Sequence, residues 1–315
     1  MASRRPVLAA FSNALRCSKT YIDNIPPNRG FRGSEGGPLA FAVSVTINCI
    51  DNIPPNRGFR GSEGFAMSLP EGLTDYVSIL EHFGAYEVSA MDLYGDVFKL
   101  GTGFLAKTGE HRDGRDFNGN PIMLGSWGGK IRREMAFEDT FEEQLGRFQQ
   151  ADWAILNGLT YWGRVNDGQH QNKLCAMVFD YDIDKAKQVP KKLYNFLYGA
   201  FSDSKLYPIP NYMVLSSHNV HLYYVLEEPL DLFPVVKTQA KKLKHELSRI
   251  MMNMYTTDID KPDAQGINQG FRIVGGKTKD AEGVAFPTVR AFRLNEHPFS
   301  IDELNGRVPE DARVQ

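Results

Sequence analysis

The spacing of apolar residues after residue 66 predicts five helices. Apolar side chains recur every three or four positions over 76–83, 136–150, 190–201 and 234–255. A serine at position 300 is a favourable N-cap, so a last short helix is predicted over 301–305. In the longest of these segments, 234–255, the apolar positions fall on one side, which predicts that this helix packs on a core through that side.

Apolar runs of a different kind predict strands between these helices. Alternating or continuous apolar stretches occupy 153–156, 174–179, 212–216, 220–226, 271–275 and 289–294. The stretch between the first two helices is rich in glycine, and we interpret it as hairpins with a tight turn at Asn118-Gly119. Because helices and strands are interspersed and composition marks no second domain, we predict one α+β module over 67–315.

Composition excludes several classes of protein. The 315 residues are 42% hydrophobic, with 36 basic and 38 acidic side chains, so no overall charge attracts nucleic acid. There is no run of about 18 apolar residues, which argues against a membrane-spanning helix. The cysteines Cys17, Cys49 and Cys175 are too far apart for a CxxC zinc cluster and odd in number, which fits a reducing cytoplasm.

The first 66 residues contain a repeat that packing does not explain. The run IDNIPPNRGFRGSEG at 22–36 recurs unchanged at 50–64, 28 codons or about 84 base pairs later, close to eight turns of a DNA duplex. A structural repeat keeps its apolar positions and lets its surface vary. We therefore interpret 1–66 as translated noncoding repeats and Met67 as the native start. A disordered arm and a basic transit peptide are the alternatives.

The run VFDYDID at 178–184 carries the clearest chemistry. Alternate residues of a strand share one face, so a strand that ends here places Asp180 and Asp182 side by side. Two adjacent carboxylates repel each other unless a cation lies between them, and Mg²⁺ prefers one or two carboxylates together with substrate phosphates. The alternative is an acidic strand end without a metal.

Two further segments supply candidate phosphate ligands. His221 lies just after a predicted turn at 217–219, where a histidine can donate to a triphosphate oxygen. Asp258 and Asp260 follow the long helix, and Arg272, Lys277 and Lys279 surround a Gly-Gly turn. These could provide a third acid and the cations for phosphate.

The order of these elements resembles the archaeo-eukaryotic primase superfamily, and most closely the replication primases of plasmids, phages and conjugative elements of Firmicutes. The likeness covers about residue 136 to the end, and its most telling stretches are ILNGLTY, MVFDYD, VHLYYVLEEP and GFRIVGGKTK. It implies a primase-polymerase core, with an RRM-like half and an associated α/β unit, built on a mixed or antiparallel sheet flanked by helices.

The resemblance also implies residue roles. Asp180, Asp182 and Asp258 would be the catalytic metal ligands for two Mg²⁺ or Mn²⁺ ions, with Asp260 as the alternative third ligand. His221 would contact the phosphates of the incoming nucleotide, together with the side chains Arg272, Lys277 and Lys279.

The partners implied are single-stranded DNA template, nucleoside triphosphates and a separate helicase, in a bacterial cytoplasm. The basic side of the 234–255 helix is a candidate surface for the template, and it comprises Lys237, Lys241, Lys242, Lys244 and Arg249. Asn219 departs from the small residue usual two positions before the histidine. A non-catalytic replication initiator and a metal-dependent nuclease remain the rival functions.

Overall fold

Two antiparallel sheets form the frame of the protein in a computed structural model that describes residues 69–110, 117–181, 190–203, 205–216, 219–257, 265–278 and 287–315. The six-stranded sheet has the order β1-β10-β7-β8-β6-β5, and the four-stranded sheet the order β3-β2-β4-β9. The strands are β1 (Tyr86–Val88), β2 (Ile122–Trp127), β3 (Lys130–Met135), β4 (Trp153–Leu156), β5 (Leu159–Tyr161), β6 (Gln171–Tyr181), β7 (Tyr212–Ser216), β8 (Asn219–Asp231), β9 (Phe271–Arg272) and β10 (Arg290–Arg293).

Six helices accompany the sheets in the described part of the chain. They are α1 (Tyr76–His82), α2 (Ala90–Phe98), α3 (Phe141–Gln149), α4 (Pro190–Phe201), α5 (Pro234–Met251) and α6 (Ile301–Gly306). Capping boxes begin α1, α2 and α6, where a side chain at the N-cap bonds the third helical amide and the third side chain bonds back.

The six-stranded sheet is the middle layer, because alternate residues of its strands enter two different cores. Met177 and Phe179 of β6 lie in a cluster with α1, α4, α5 and α6. Ala176 and Val178 point the other way, into a cluster with α2, α3 and the four-stranded sheet. Asp180 belongs to this second face, so the strand delivers it towards the space between the two sheets.

The predicted α+β class, with antiparallel sheets flanked by helices, is confirmed. The predicted helix over 136–150 is wrong in its first five residues, since α3 begins at Phe141. Glu138 and Asp139 accept hydrogen bonds from the backbone amides of Gly101 and Thr108. These contacts hold residues 136–140, which precede α3, in a loop. The apolar spacing of Phe137 and Phe141 therefore extends into the loop before the first residue of the helix.

The interpretation of the glycine-rich stretch as hairpins is right in one place and wrong in another. Strands β2 and β3 form a hairpin, and its turn is at Gly128-Gly129, where both residues have positive φ. Gly119 also has positive φ but leads into β2 rather than turning between two strands. Residues 90–98 form a helix, α2, that the spacing analysis did not predict.

Helix α5 differs from its prediction in length and in one lysine. It ends at Met251 rather than at residue 255, because the side chains of Asn253 and Thr256 form a local hydrogen-bonded turn there. Lys244, which was assigned to the basic outer side, is only 1% exposed. Lys244 therefore cannot belong to the template surface predicted on α5, because its side chain lies in the interior.

Some predictions fall outside the described residues. These include the repeat-containing segment 1–66, the turn at 217–218, and the proposed domain boundary at Met67. Among the described helices, none is both long and apolar enough to cross a lipid bilayer.

Candidate active site

Asp180 and His221 face each other across two neighbouring strands. Strands β6 and β8 are antiparallel, and their register pairs Asp180 directly with His221. Directly paired residues project to the same face of a sheet. His221 Nε2 lies 4.0 Å from Asp180 Oδ1. The two side chains that the sequence analysis placed in one site are therefore neighbours, although 41 positions separate them in the chain.

Side-chain amides hold the Asp180 carboxylate in place. Asn219 Nδ2 donates to Asp180 Oδ1 at 3.2 Å, and Gln269 Nε2 donates to Asp180 Oδ2 at 3.3 Å. The carboxylate is 25% exposed. Neutral amides orient a carboxylate without supplying the positive charge that a metal ion would supply.

The backbone of Asp180 is fixed by a second glutamine. Its N–H donates to Gln265 Oε1 at 2.8 Å, and its carbonyl accepts from Gln265 Nε2 at 2.6 Å. Strand β5 pairs with β6 only between positions 171 and 174, so the edge of β6 near Asp180 has no neighbouring strand on that side among the described residues. Gln265 makes the two hydrogen bonds that such a strand would make. We call this contact the Gln265 clamp.

His221 is buried and neutral. Burial, with a smaller contribution from the charge of Arg272, lowers the pKa of His221 to about 3. Its ring packs edge-on against Phe271 with centroids 4.9 Å apart. Nδ1 has no hydrogen-bond partner among the described residues. A neutral imidazole offers one N–H donor and one acceptor, so it can orient an oxygen but adds no positive charge to the site.

A buried lysine lies beside these residues. Lys244 Nζ donates to the carbonyl of Gly266 at 2.9 Å and lies 5.5 Å from the ring centroid of Phe179 and 5.7 Å from that of Phe271. Burial lowers the pKa of Lys244 to about 7, and the charge of Asp180 opposes the shift. The lysine supports the segment that carries Gln265 and Gln269.

The predicted phosphate-binding cations occupy two positions near the four-stranded sheet. Arg272 lies in β9, half-buried, paired with Ile155 of β4. Lys277 is exposed after the Gly275-Gly276 turn and forms an isolated bridge with Thr288. Arg272 is close enough to His221 to affect its pKa. Of the two cations, Arg272 is the one placed beside the Asp180–His221 pair.

Four predicted site residues lie outside the described residues: Asp182, Asp258, Asp260 and Lys279. Their described neighbours are informative. Tyr181 OH donates to the carbonyl of Thr256 at 2.6 Å. The segments leading to Asp182 and Asp258 thus start from residues that are in contact with each other.

The residues present fit a hard divalent cation in part. Asp180 provides oxygen ligands of the type that Mg²⁺ and Mn²⁺ prefer, at a strand end and with its orientation fixed. Among the described residues there is no group of three candidate metal ligands. A metal site at Asp180 would need further ligands, and the predicted ones, Asp182 and Asp258 or Asp260, lie outside the described residues.

Sequence reasoning missed the amides around Asp180. Asn219 was noted only as a departure from the expected small residue, yet its side chain bonds the carboxylate. Gln265 and Gln269 were not considered. The signal was available in the run QGINQG at 265–270, where two glutamines precede the arginine-containing strand.

Comparison with known proteins yields one likeness. No protein-family model matches the chain, and no curated protein is significantly similar to it. Among solved structures, it is similar to the AEP domain of the primase-polymerase (PrimPol) of Cyanophage S-2L, with a TM-score of 0.44 and 10% sequence identity over 70% of this chain and 97% of that chain. At this level of similarity we assign neither family nor activity from the match, and the assignment of function rests on the residues of the site.

Proposed function

We propose that this protein is a DNA primase or primase-polymerase of a mobile genetic element, a nucleotidyltransferase that makes primers on single-stranded template. The observation that carries the proposal is the pairing of Asp180 with His221 on adjacent strands, at the side of the sheet where Arg272 lies. The Asp180 carboxylate suits the divalent metal ion that accompanies a nucleoside triphosphate. The neutral His221 ring and the Arg272 guanidinium suit its phosphate oxygens.

The remaining acids belong to the same proposed site. Asp182 follows Tyr181 directly, and Asp258 comes two residues after Thr256, the residue to which the Tyr181 hydroxyl is bonded. We assign Asp180, Asp182 and Asp258 as ligands of two Mg²⁺ or Mn²⁺ ions, with Asp260 as the alternative to Asp258. When bound, such ions lower the pKa of the attacking 3′-hydroxyl and stabilise the pyrophosphate that leaves.

The protein's own groups orient the reactants. Asn219 and Gln269 hold the Asp180 carboxylate, and the Gln265 clamp fixes the backbone beneath it. His221, as a neutral donor, orients a phosphate oxygen. Arg272, Lys277 and Lys279 neutralise the triphosphate charge. The template is single-stranded DNA, and a separate helicase unwinds the duplex.

Primer synthesis tests this proposal. Wild-type protein, single-stranded DNA, nucleoside triphosphates and Mn²⁺ should yield labelled oligonucleotides, and Asp180→Ala should reduce the yield by at least about 100-fold, the order of effect expected when a group that stabilises the transition state is removed. The matched control is Asp231→Ala, which removes an exposed carboxylate paired with Lys173 at the far end of the same two strands. It should leave synthesis unchanged.

Three results would contradict the proposal. Synthesis that survives Asp180→Ala would remove the carboxylate from the reaction. DNA binding by the wild type without any synthesis would support a non-catalytic replication initiator. Shortening of the template would indicate a metal-dependent nuclease.

A further inference from the structure

Basic and neutral side chains line a cavity at one edge of the four-stranded sheet. The cavity has a volume of about 250 Å³, and it is lined by Arg133, Glu134, Met135, Phe137, Gln144 and Arg164. These residues come from β3, the loop after it, α3 and the loop after β5, so two separate parts of the chain, 133–144 and the region of Arg164, meet here. We call it the β3 cavity.

The charge of the β3 cavity is positive. Arg133 and Arg164 are exposed, and neither has a carboxylate within ion-pairing distance among the described residues. The one acid in the lining, Glu134, is paired with Arg147 of α3. Two uncompensated guanidinium groups in a chain of net charge −2 favour an anionic ligand, and guanidinium is suited to phosphate.

The neutral lining favours a base. Gln144 Nε2 donates to the carbonyl of Met135 at 3.1 Å, while Gln144 Oε1 is buried and accepts no hydrogen bond from the described residues. Gln144 therefore supports the wall of the cavity, and its buried oxygen has no surface that a ligand could contact. Phe137 is half-buried in the same lining, and aromatic rings stack on bases without strong sequence preference.

The cavity is in line with the proposed active site. Register across the four-stranded sheet pairs Arg133 with Leu124, Leu124 with Ile155, and Ile155 with Arg272. These four residues share one face, and three strand spacings place Arg133 about 14 Å from Arg272. Arg272 ends this row, and its charge lowers the pKa of His221. A strand of nucleic acid along the row would therefore run from the cavity to the cation that acts on the proposed active site.

We propose that the β3 cavity binds one unpaired nucleotide of the template strand. Its phosphate lies between Arg133 and Arg164, and its base stacks on Phe137. This assignment rests on the proposed primase function, and it moves the template from the outer side of α5 to the four-stranded sheet. On α5, Lys241 and Lys242 are exposed.

The test compares two pairs of charge-removing substitutions in binding to a fluorescent single-stranded oligonucleotide. Arg133→Ala/Arg164→Ala should weaken binding by at least 10-fold, and it should reduce the slope of log affinity against log salt by about 0.7, since each phosphate neutralised on a single strand contributes about 0.7. Lys241→Ala/Lys242→Ala removes the same charge from α5 and should leave both quantities near wild type. Thermal unfolding verifies that both variants fold.

The proposal would be overturned if the lysine double variant weakened oligonucleotide binding more than the arginine double variant did, or if the two weakened it equally. For the base, Phe137→Leu should abolish the preference of the protein for an intact oligonucleotide over one with abasic sites. If wild-type protein binds both oligonucleotides equally, the cavity does not hold a base, and the proposal is wrong in that form.

Binding also separates this inference from the proposed function. Asp180→Ala should bind the oligonucleotide as the wild type does. If the wild type binds through Arg133 and Arg164 but makes no primers, the primase function fails and the cavity assignment stands. If primers are made and the arginine pair has no effect on binding, the cavity assignment fails alone.

Discussion

Asp180 is positioned by the side chains of three residues from two distant parts of the chain. Gln265 and Gln269 come from the segment before β9, and Asn219 from the start of β8. None of the three amides carries charge, so they fix where the carboxylate points without neutralising it. This is the kind of support that sets how tightly a carboxylate holds a metal ion.

Removing the Gln265 clamp should weaken metal binding more than it weakens the fold. Gln265→Met keeps the size of the side chain and loses both hydrogen bonds to Asp180, so the concentration of Mn²⁺ needed for half-maximal binding should rise about 10-fold or more. Calorimetric titration with Mn²⁺ measures this without reference to activity.

The matched control is Asn305→Leu. Asn305 makes the same pair of bonds with the backbone of Val314, away from the strand end of β6. Both variants should lose about 1–2 kcal/mol of unfolding free energy, because two hydrogen bonds are removed in each. Equal Mn²⁺ binding by both variants would show that Gln265 has only a structural role.

At the scale of the element, α5 shows how an apolar environment can accept a lysine. The helix buries Leu243 and Leu247 in the core beside the six-stranded sheet. Lys244 lies beside them, with its ammonium group over the rings of Phe179 and Phe271. The desolvation of that ammonium group opposes folding when the lysine is charged.

Replacing Lys244 should therefore change how stability depends on pH. The pKa of Lys244 is about 7 in the folded protein and 10.5 for an ordinary lysine, as in the unfolded chain. The unfolded chain therefore binds more protons between these limits, and stability rises with pH across this window. Lys244→Met should be more stable than wild type at pH 7 and lack this rise, which is at most about 5 kcal/mol.

Chemical denaturation at several pH values measures the difference. Lys241→Met, on the exposed side of the same helix, should keep the rise of the wild type. A Lys244→Met variant with the same pH dependence as wild type would show that the burial of the charge has no thermodynamic effect.

Local patterns predicted the elements of the site but not the contacts between them. Asp180 was predicted as a site residue because it lies at the end of an apolar strand, and His221 because it lies at the start of one. Helix α4 was predicted with its correct bounds. Gln265 lies 85 positions from Asp180, and no periodicity relates the two. Lys244 was assigned to the surface because charge on a helix is usually solvated, and only the tertiary packing of Phe179 and Phe271 reverses that expectation.

At the scale of the whole molecule, the six-stranded sheet has a core on each face, and both cores are built from described residues after position 69. Helix α1 contributes two fully buried side chains, Ile79 and Leu80, to one of them. That 67–315 forms one module without residues 1–66 stays a prediction.

A chain that starts at Met67 should accordingly unfold at the same temperature as the full chain and make primers at the same rate. A chain that starts at Ser89 lacks α1 and β1, and it should be destabilised by several kcal/mol because Ile79 and Leu80 leave cavities. Thermal unfolding and primer synthesis compare the three chains. Loss of stability in the Met67 chain would show that residues 1–66 belong to the fold.

The hydrogen bonds at the end of β6 also decide what length changes the chain tolerates. Thr256 bonds to Tyr181 and Gln265 bonds to the adjacent Asp180, so the connection between them leaves and returns at one point of the sheet. With its ends fixed in this way, the entropy of closing the connection grows only with the logarithm of its length, and doubling that length costs about 0.6 kcal/mol. Insertions between Asp260 and Gln265, after the proposed ligands, should therefore leave Asp180 in its place.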